Sequence, residues 1–254
     1  MFGTTKDIYV ATRKKHDLLF NTYVMRPLAA AFVALLARTS ATPNQVTLFC
    51  LVVFVGGVSV LVGVPTPVGA VAAVAVLELS YCFDCVDGML ARHKKIASKT
   101  GHYFDFFTDE LKATLLAAAL AVRLFRTGGL GVDGATWPAG SSGFLLAGVA
   151  GTLVVASAIS LTTFVRRPEV SGRESTVEAF YETVDEAKPK SLVGRVAGLA
   201  MTFLRFLNHY PSHIWLFALL GRLDVFFWMY VALNALYLAR GWLGLFVRFG
   251  LRRE

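Results

Sequence analysis

Between residues 84 and 109 the chain carries four aspartates in two pairs, Asp84 with Asp87 and Asp105 with Asp109. The members of each pair are three or four residues apart, so each pair shares one face of a helix. One pair closes an apolar run over residues 70–83, and the other opens a second run over 104–125. A short hairpin between the runs brings all the carboxylates to one membrane edge. Gathered there they repel one another and lose hydration, two costs that a divalent cation offsets. Hard oxygen ligands favour Mg²⁺ or Mn²⁺, and four carboxylates suffice for two ions. Such ions serve phosphates and diphosphates, and the neighbouring residues agree with that use. Gly88 and Ala91 let a ligand approach the backbone, and Arg92 offers a forked donor to a phosphate. His93, Lys94, Lys95 and Lys99 make the hairpin positive, Gly101 clears space at the next helix start, and Thr100 is the expected cap of that helix. The chemistry expected is metal-dependent phosphoryl or phosphodiester transfer at a membrane face. A transporter would hold its acids nearer the midplane, and a scaffold needs no acid cluster.

The elements that position these residues read as membrane spans. Of 254 residues 56% are hydrophobic and 17% charged, and mean hydropathy is +0.59. That balance excludes an ordinary soluble enzyme and a disordered chain. Three cysteines exclude a disulfide scaffold. Residues 46–64 form an uncharged run long enough for a hydrocarbon core of about 30 Å. Thr42, Pro43 and Gln45 mark its start as a capping box with proline at the first helical position. The runs at 70–83, 104–125 and 143–165 give three more spans, and residues 192–249 hold two, broken at Pro211 and turning at 221–224. A helix over 16–39 is too short in its apolar part to cross and is expected to lie amphipathically at the interface. Ser175 with Glu178 starts a second surface helix whose apolar side runs from Val177 to Val184. The expected architecture is all-α: an amphipathic interfacial helix, then six transmembrane helices, with both termini cytoplasmic. Residues 1–41 form the N-terminal segment, 42–249 the six-span domain with a polar cytoplasmic loop at 166–190, and 250–254 the tail.

Charge tests that topology. The inner loops and termini take most of the 25 lysines and arginines, and the outer loops only Arg123, Arg126 and Arg222. The net charge of +8 is therefore explained by the positive-inside rule and an anionic leaflet, without nucleic acid. No cleavable signal peptide is expected in residues 1–20.

The spacing Asp84-x2-Asp87-Gly88-x2-Ala91-Arg92-x8-Gly101-x3-Asp105-x3-Asp109 resembles, at every fixed position, the signature of the CDP-alcohol phosphotransferase family. The resemblance covers about residues 16–245. It implies a membrane enzyme, typically a homodimer, that displaces CMP from a CDP-linked alcohol, usually CDP-diacylglycerol, with a second alcohol. It further implies Asp84, Asp87, Asp105 and Asp109 as metal ligands, with Asp109 also the base or orienting group for the acceptor hydroxyl. Gly88, Ala91 and Gly101 would line the cytidine pocket, and Arg92 would stand near the diphosphate.

The acceptor is less well specified. Lys112, Arg166 and Arg167, with Arg195 and Arg205, are cations suited to an acceptor that carries its own phosphate. The run Asp109-Glu110-Leu111-Lys112-Ala113 lacks the arginine and further aspartate of the inositol-phosphate class. The glycerol-phosphate class is matched only by a lysine after the fourth aspartate. Choline or ethanolamine enzymes, with a lipid acceptor, generally have longer chains. The preferred reading is a CDP-diacylglycerol donor with a small polar or phosphorylated alcohol. Glu78, well inside a span, is expected to pair with Lys112 or a buried arginine. Cys82 and Cys85 read as small core residues, and the tryptophans as interfacial anchors.

Overall fold

Pro43 opens the first long helix, and the predicted box is present: the Thr42 amide donates to Gln45 Oε1 at 2.9 Å and the Gln45 amide to Thr42 Oγ1 at 3.4 Å. In the computed structural model the described residues are 4–13, 17–167, 170, 202–204 and 206–250. In chain order the helices are α1 (Thr5–Thr12), α2 (Arg26–Leu36), α3 (Pro43–Gly63), α4 (Pro67–Lys94), α5 (Lys99–Thr127), α6 (Ser142–Arg166), α7 (Ile214–Leu219) and α8 (Leu223–Leu245). A π-helical turn at Asn21–Met25 leads into α2, and another at Phe246–Gly250 follows α8. Among the described residues the only strands are Gly129–Leu130 and Thr136–Trp137, paired antiparallel in the connection after α5. Three helices among the described residues are long and apolar enough to cross a membrane: Pro43–Gly63, Pro67–Lys94 and Ser142–Val165.

The chain divides into two compact units, Met1–Gly63 with Val68–Lys112, and Val64–Pro67 with Ala113–Glu254. In the first, α3 buries a stripe of Val46, Thr47, Cys50, Phe54, Gly57, Val58 and Leu61. Their spacing of three and four residues puts them on one side of the helix. A Cβ on Gly57 would meet the Leu77 side chain at 2.8 Å and its backbone nitrogen at 3.3 Å. Glycine there lets α3 and α4 pack closely. The helix α2 buries Ala29, Ala30 and Val33 and exposes Leu28 and Leu35. Those buried residues join Ile8, Met25, Cys82, Cys85, Val86, Met89 and Leu90 in one core. Cys82 and Cys85 are free thiols within it.

The joint before α2 is polar. Asp17 Oδ1 accepts from the Leu18 amide and Asn21 Nδ2, both at 2.9 Å, and its Oδ2 accepts from Arg26 Nε. Asn21 Oδ1 in turn accepts from Tyr81 Oη at 2.8 Å, tying the joint to α4. The helix α1 had no counterpart in the reading of the sequence; its eight residues lack a long apolar run, and a capping box formed by Thr4 and Asp7 starts it.

In the second unit, buried Arg123 donates to the carbonyls of Val64 and Thr66 at 3.0 and 2.7 Å, holding the turn between α3 and α4. Trp228 Nε1 donates to the Leu130 carbonyl at 2.7 Å, and Asp224 Oδ2 accepts from the Leu130 amide at 2.8 Å. These contacts dock the hairpin on the start of α8. The Pro211 break is a 3₁₀ turn at Tyr210–Ser212, and Gly221 turns the chain with φ 67°. The surface helix expected from Ser175, and the cations Arg195 and Arg205, lie outside the described residues.

Candidate metal and phosphotransfer site

All four aspartates fall in the first compact unit, on two helices joined by a short connection. The helix α4 continues without a break from Pro67 through Asp84, Asp87 and Arg92 to Lys94. Apolar residues carry it as far as Phe83, and helix-forming Met89, Leu90 and Ala91 extend it past the acids. Lys95, at φ 58°, ends it, and the Ile96 amide reaches back to the Ala91 carbonyl at 3.0 Å. The helix α5 starts at Lys99. Its cap is Ser98, whose Oγ accepts from the Gly101 amide at 3.0 Å, and not the expected Thr100, which is already inside the first turn. A Cβ on Gly101 would lie 3.1 Å from both Asn44 Oδ1 and Ser98 Oγ, so glycine lets the starts of α3 and α5 come together.

Asp84, Asp105 and Asp109 each offer a carboxylate oxygen, and these oxygens all lie within 4.8 Å of one another. Asp87 is placed differently. It is buried, and its Oδ2 accepts from Thr47 Oγ1 at 2.6 Å, a bond that fixes the carboxylate from α3. Lys112, one turn past Asp109, is also buried, with Nζ 2.5 Å from Asp84 Oδ1 and 2.9 Å from Asp109 Oδ1. It therefore serves the cluster as a counter-ion, and the pairing with Glu78 does not form. Both carboxylate oxygens of Glu78 are buried with no hydrogen-bond partner among the described residues.

The α3–α4 contact extends the support. Ser80 Oγ donates to the Cys50 carbonyl at 2.9 Å, Cys50 Sγ lies 3.1 Å from the Ser80 carbonyl, and the same sulfur lies 3.8 Å from Asp84 Oδ1. Thr47, Cys50, Ser80 and Asn44 are the site-forming residues that the sequence reading missed. The only signal for them was helical spacing: Asn44, Thr47 and Cys50 follow one another at three residues on α3, and Ser80 precedes Asp84 by four on α4. Lys94 Nζ donates to the carbonyls of Thr39 and Ala41 at 2.9 and 2.8 Å, so it anchors the approach to α3. On α4, a Cβ on Gly88 would be 3.5 Å from Arg92 Nη1, which places the guanidinium beside Gly88. Arg166 ends α6, and Arg167 follows it exposed, both in the second unit.

The donor set suits a hard divalent cation: three converging carboxylates, oxygen-only, against a single lysine that cannot balance them. The sequence pattern of the CDP-alcohol phosphatidyltransferase family matches residues 40–247. The chain belongs to that family. No curated protein matches the chain closely enough to add to this. As a family member, the protein is a membrane transferase of phospholipid biosynthesis that transfers a phosphatidyl group from a CDP-alcohol to an alcohol. Members are generally metal-dependent, and the acidic cluster is where this chain can meet that need.

Proposed function

We propose that this CDP-alcohol phosphatidyltransferase takes CDP-diacylglycerol as donor and a small polar alcohol, with phosphorylated polyols the favoured class, as acceptor. The observation that carries the reading is the convergence of Asp84, Asp105 and Asp109 within 4.8 Å, inside the signature of the matched family segment. Asp84, Asp87, Asp105 and Asp109 would hold Mg²⁺ or Mn²⁺, two ions in the full site. Bound there, such cations would supply charge neutralisation for the diphosphate and for the CMP leaving group.

The chain's own groups supply the rest. Asp109, half-exposed and on the rim of the trio, takes or orients the proton of the acceptor hydroxyl. The acceptor oxygen forms a bond to the phosphorus that carries the diacylglycerol, and the bond from that phosphorus to the CMP oxygen breaks. The electron pair leaves with CMP. Gly88, Ala91 and Gly101 give the cytidine room, and Arg92 meets the diphosphate with a charged donor. Lys112, which pairs with Asp84 and Asp109, would add a positive charge beside the acceptor hydroxyl for an acceptor phosphate. The assignment of Arg166 and Arg167 to the same phosphate rests on their inner-side place in the sequence. Six spans with both termini and the site on the cytoplasmic face of the cell membrane, and a homodimer, complete the proposal. The strong inner bias of the basic residues supports the orientation.

CMP release from CDP-diacylglycerol in detergent with Mg²⁺ tests the reading, with glycerol phosphate, inositol phosphate, inositol and serine as acceptors. One acceptor should give CMP, and Asp105→Ala should abolish it. No CMP with any acceptor, or undiminished CMP from that variant, overturns the proposal.

A further inference from the structure

Residues 1–39 lie outside the matched family segment, yet α1 within them makes a direct contact with the signature. Arg92 Nε donates to the backbone carbonyl of Thr12 at 3.0 Å. Thr12 is the last residue of α1, where helix carbonyls lack intrahelical partners and carry the negative end of the helix dipole. A guanidinium is the side chain best suited to that end, and bonding through Nε fixes the plane of the fork.

The helix is anchored rather than merely adjacent. Ile8 is 2% exposed in the core with Met25, Ala29, Val33, Met89 and Leu90. Tyr9 Oη donates to the Thr22 carbonyl at 3.0 Å, and buried Thr12 closes its own hydroxyl on the Ile8 carbonyl at 2.7 Å. At its start, Thr4 and Asp7 form a reciprocal, exposed capping box. Every part of this short helix thus contributes to where the Thr12 carbonyl stands, and that carbonyl holds the arginine whose Nη1 lies beside Gly88.

We propose that α1 is a positioning element for the nucleotide donor: its C-terminal carbonyl holds the Arg92 guanidinium beside Gly88, ready for the diphosphate. This rests on the donor reading above. The Thr12 carbonyl does not touch substrate; it acts through Arg92.

The test is a double-mutant cycle on full-length protein in detergent, read as the dissociation constant of CDP with Mg²⁺, so that no acceptor is needed. Ile8→Asp undocks α1, and Arg92→Ala removes the group it holds. Each should weaken CDP binding about tenfold, the size of one charge-assisted hydrogen bond. The double variant should be no weaker than Arg92→Ala alone, since contacts in one chain of interactions do not add. Thr4→Ala with Asp7→Asn frays α1 from exposed positions, keeps the core intact and should weaken CDP binding severalfold, which provides a folded variant. Unchanged CDP binding in the undocked variants, or losses that add to that of Arg92→Ala, overturns the clamp. If the unaltered protein fails to bind CDP, the donor reading itself falls, and the clamp with it; that result differs from normal CDP binding that is indifferent to α1.

Discussion

At the level of single residues, the site is defined as much by what holds the aspartates as by the aspartates. Thr47 donates to Asp87 at 2.6 Å, from a helix 40 positions earlier in the chain. Groups that orient a metal ligand commonly contribute 10–100-fold to metal affinity. Thr47→Val keeps the shape and removes the donor, so the Mg²⁺ concentration needed for half-maximal CDP binding should rise by about that factor. An unshifted Mg²⁺ titration would show that Asp87 needs no such support.

Lys112 is the second such residue. Buried between Asp84 and Asp109, it offsets part of the repulsion within the cluster before any ion arrives. Lys112→Met should lower the melting temperature in EDTA, because the carboxylates then lose their internal cation. Mg²⁺ should recover more stability in this variant than in the unaltered protein. An equal response of both proteins to Mg²⁺ would contradict the counter-ion role.

Among the elements, α4 and the joint before α2 carry most of the consequences. Asp84, Asp87, Gly88 and Arg92 sit on one uninterrupted helix, so their relative positions follow from helical geometry alone, whereas Asp105 and Asp109 come from α5. The joint is held by Asp17. Burial by itself would raise the Asp17 carboxyl, but the Arg26 guanidinium, with the Asn21 and Leu18 donors, outweighs it and holds the group below its ordinary 3.8. The sign follows from the lowered folded value. Above the ordinary value the carboxylate is ionised whether the chain is folded or not, and its contribution is complete. As pH falls, the unfolded chain takes up the proton first, and the contribution is lost until the pH passes the folded value. Asp17→Asn should cost about 3 kcal/mol at neutral pH, because Arg26 is left buried without its partner. The variant should also lose less stability than the unaltered protein between about pH 5 and pH 2. Parallel melting curves across that range would refute the assignment.

For the molecule as a whole, charge distribution and hydropathy make a topological prediction. With six spans, residue 97 in the connection between α4 and α5 faces the cytoplasm, and residue 133 in the hairpin loop faces outward. Cys50, Cys82 and Cys85 are buried and free, so single cysteines can be placed at 97 and 133 after replacing them. An impermeant thiol reagent on intact cells should label position 133, and label 97 only after permeabilisation. The reverse pattern would invert the site, and labelling of both from outside would break the six-span arrangement.

The converging aspartates, the helices that bear them and the apolar spans were readable from the chain, for local reasons. Helix length, apolar runs, caps at Thr42 and the three- and four-residue spacing of the aspartates are properties of short segments. Where the reading failed, contacts between distant segments were in control. Ser98 rather than Thr100 caps α5, whose start packs at Gly101 against Asn44 of α3. Lys112 turns to Asp84 and Asp109, leaving Glu78 without it, because which carboxylate a lysine meets depends on how α4 and α5 pack. Thr47 on Asp87 and the Thr12 carbonyl on Arg92 join positions 40 and 80 residues apart. Periodicity carries no record of such pairs. Folding decides them, by bringing buried donors to the acceptors that must be satisfied away from water.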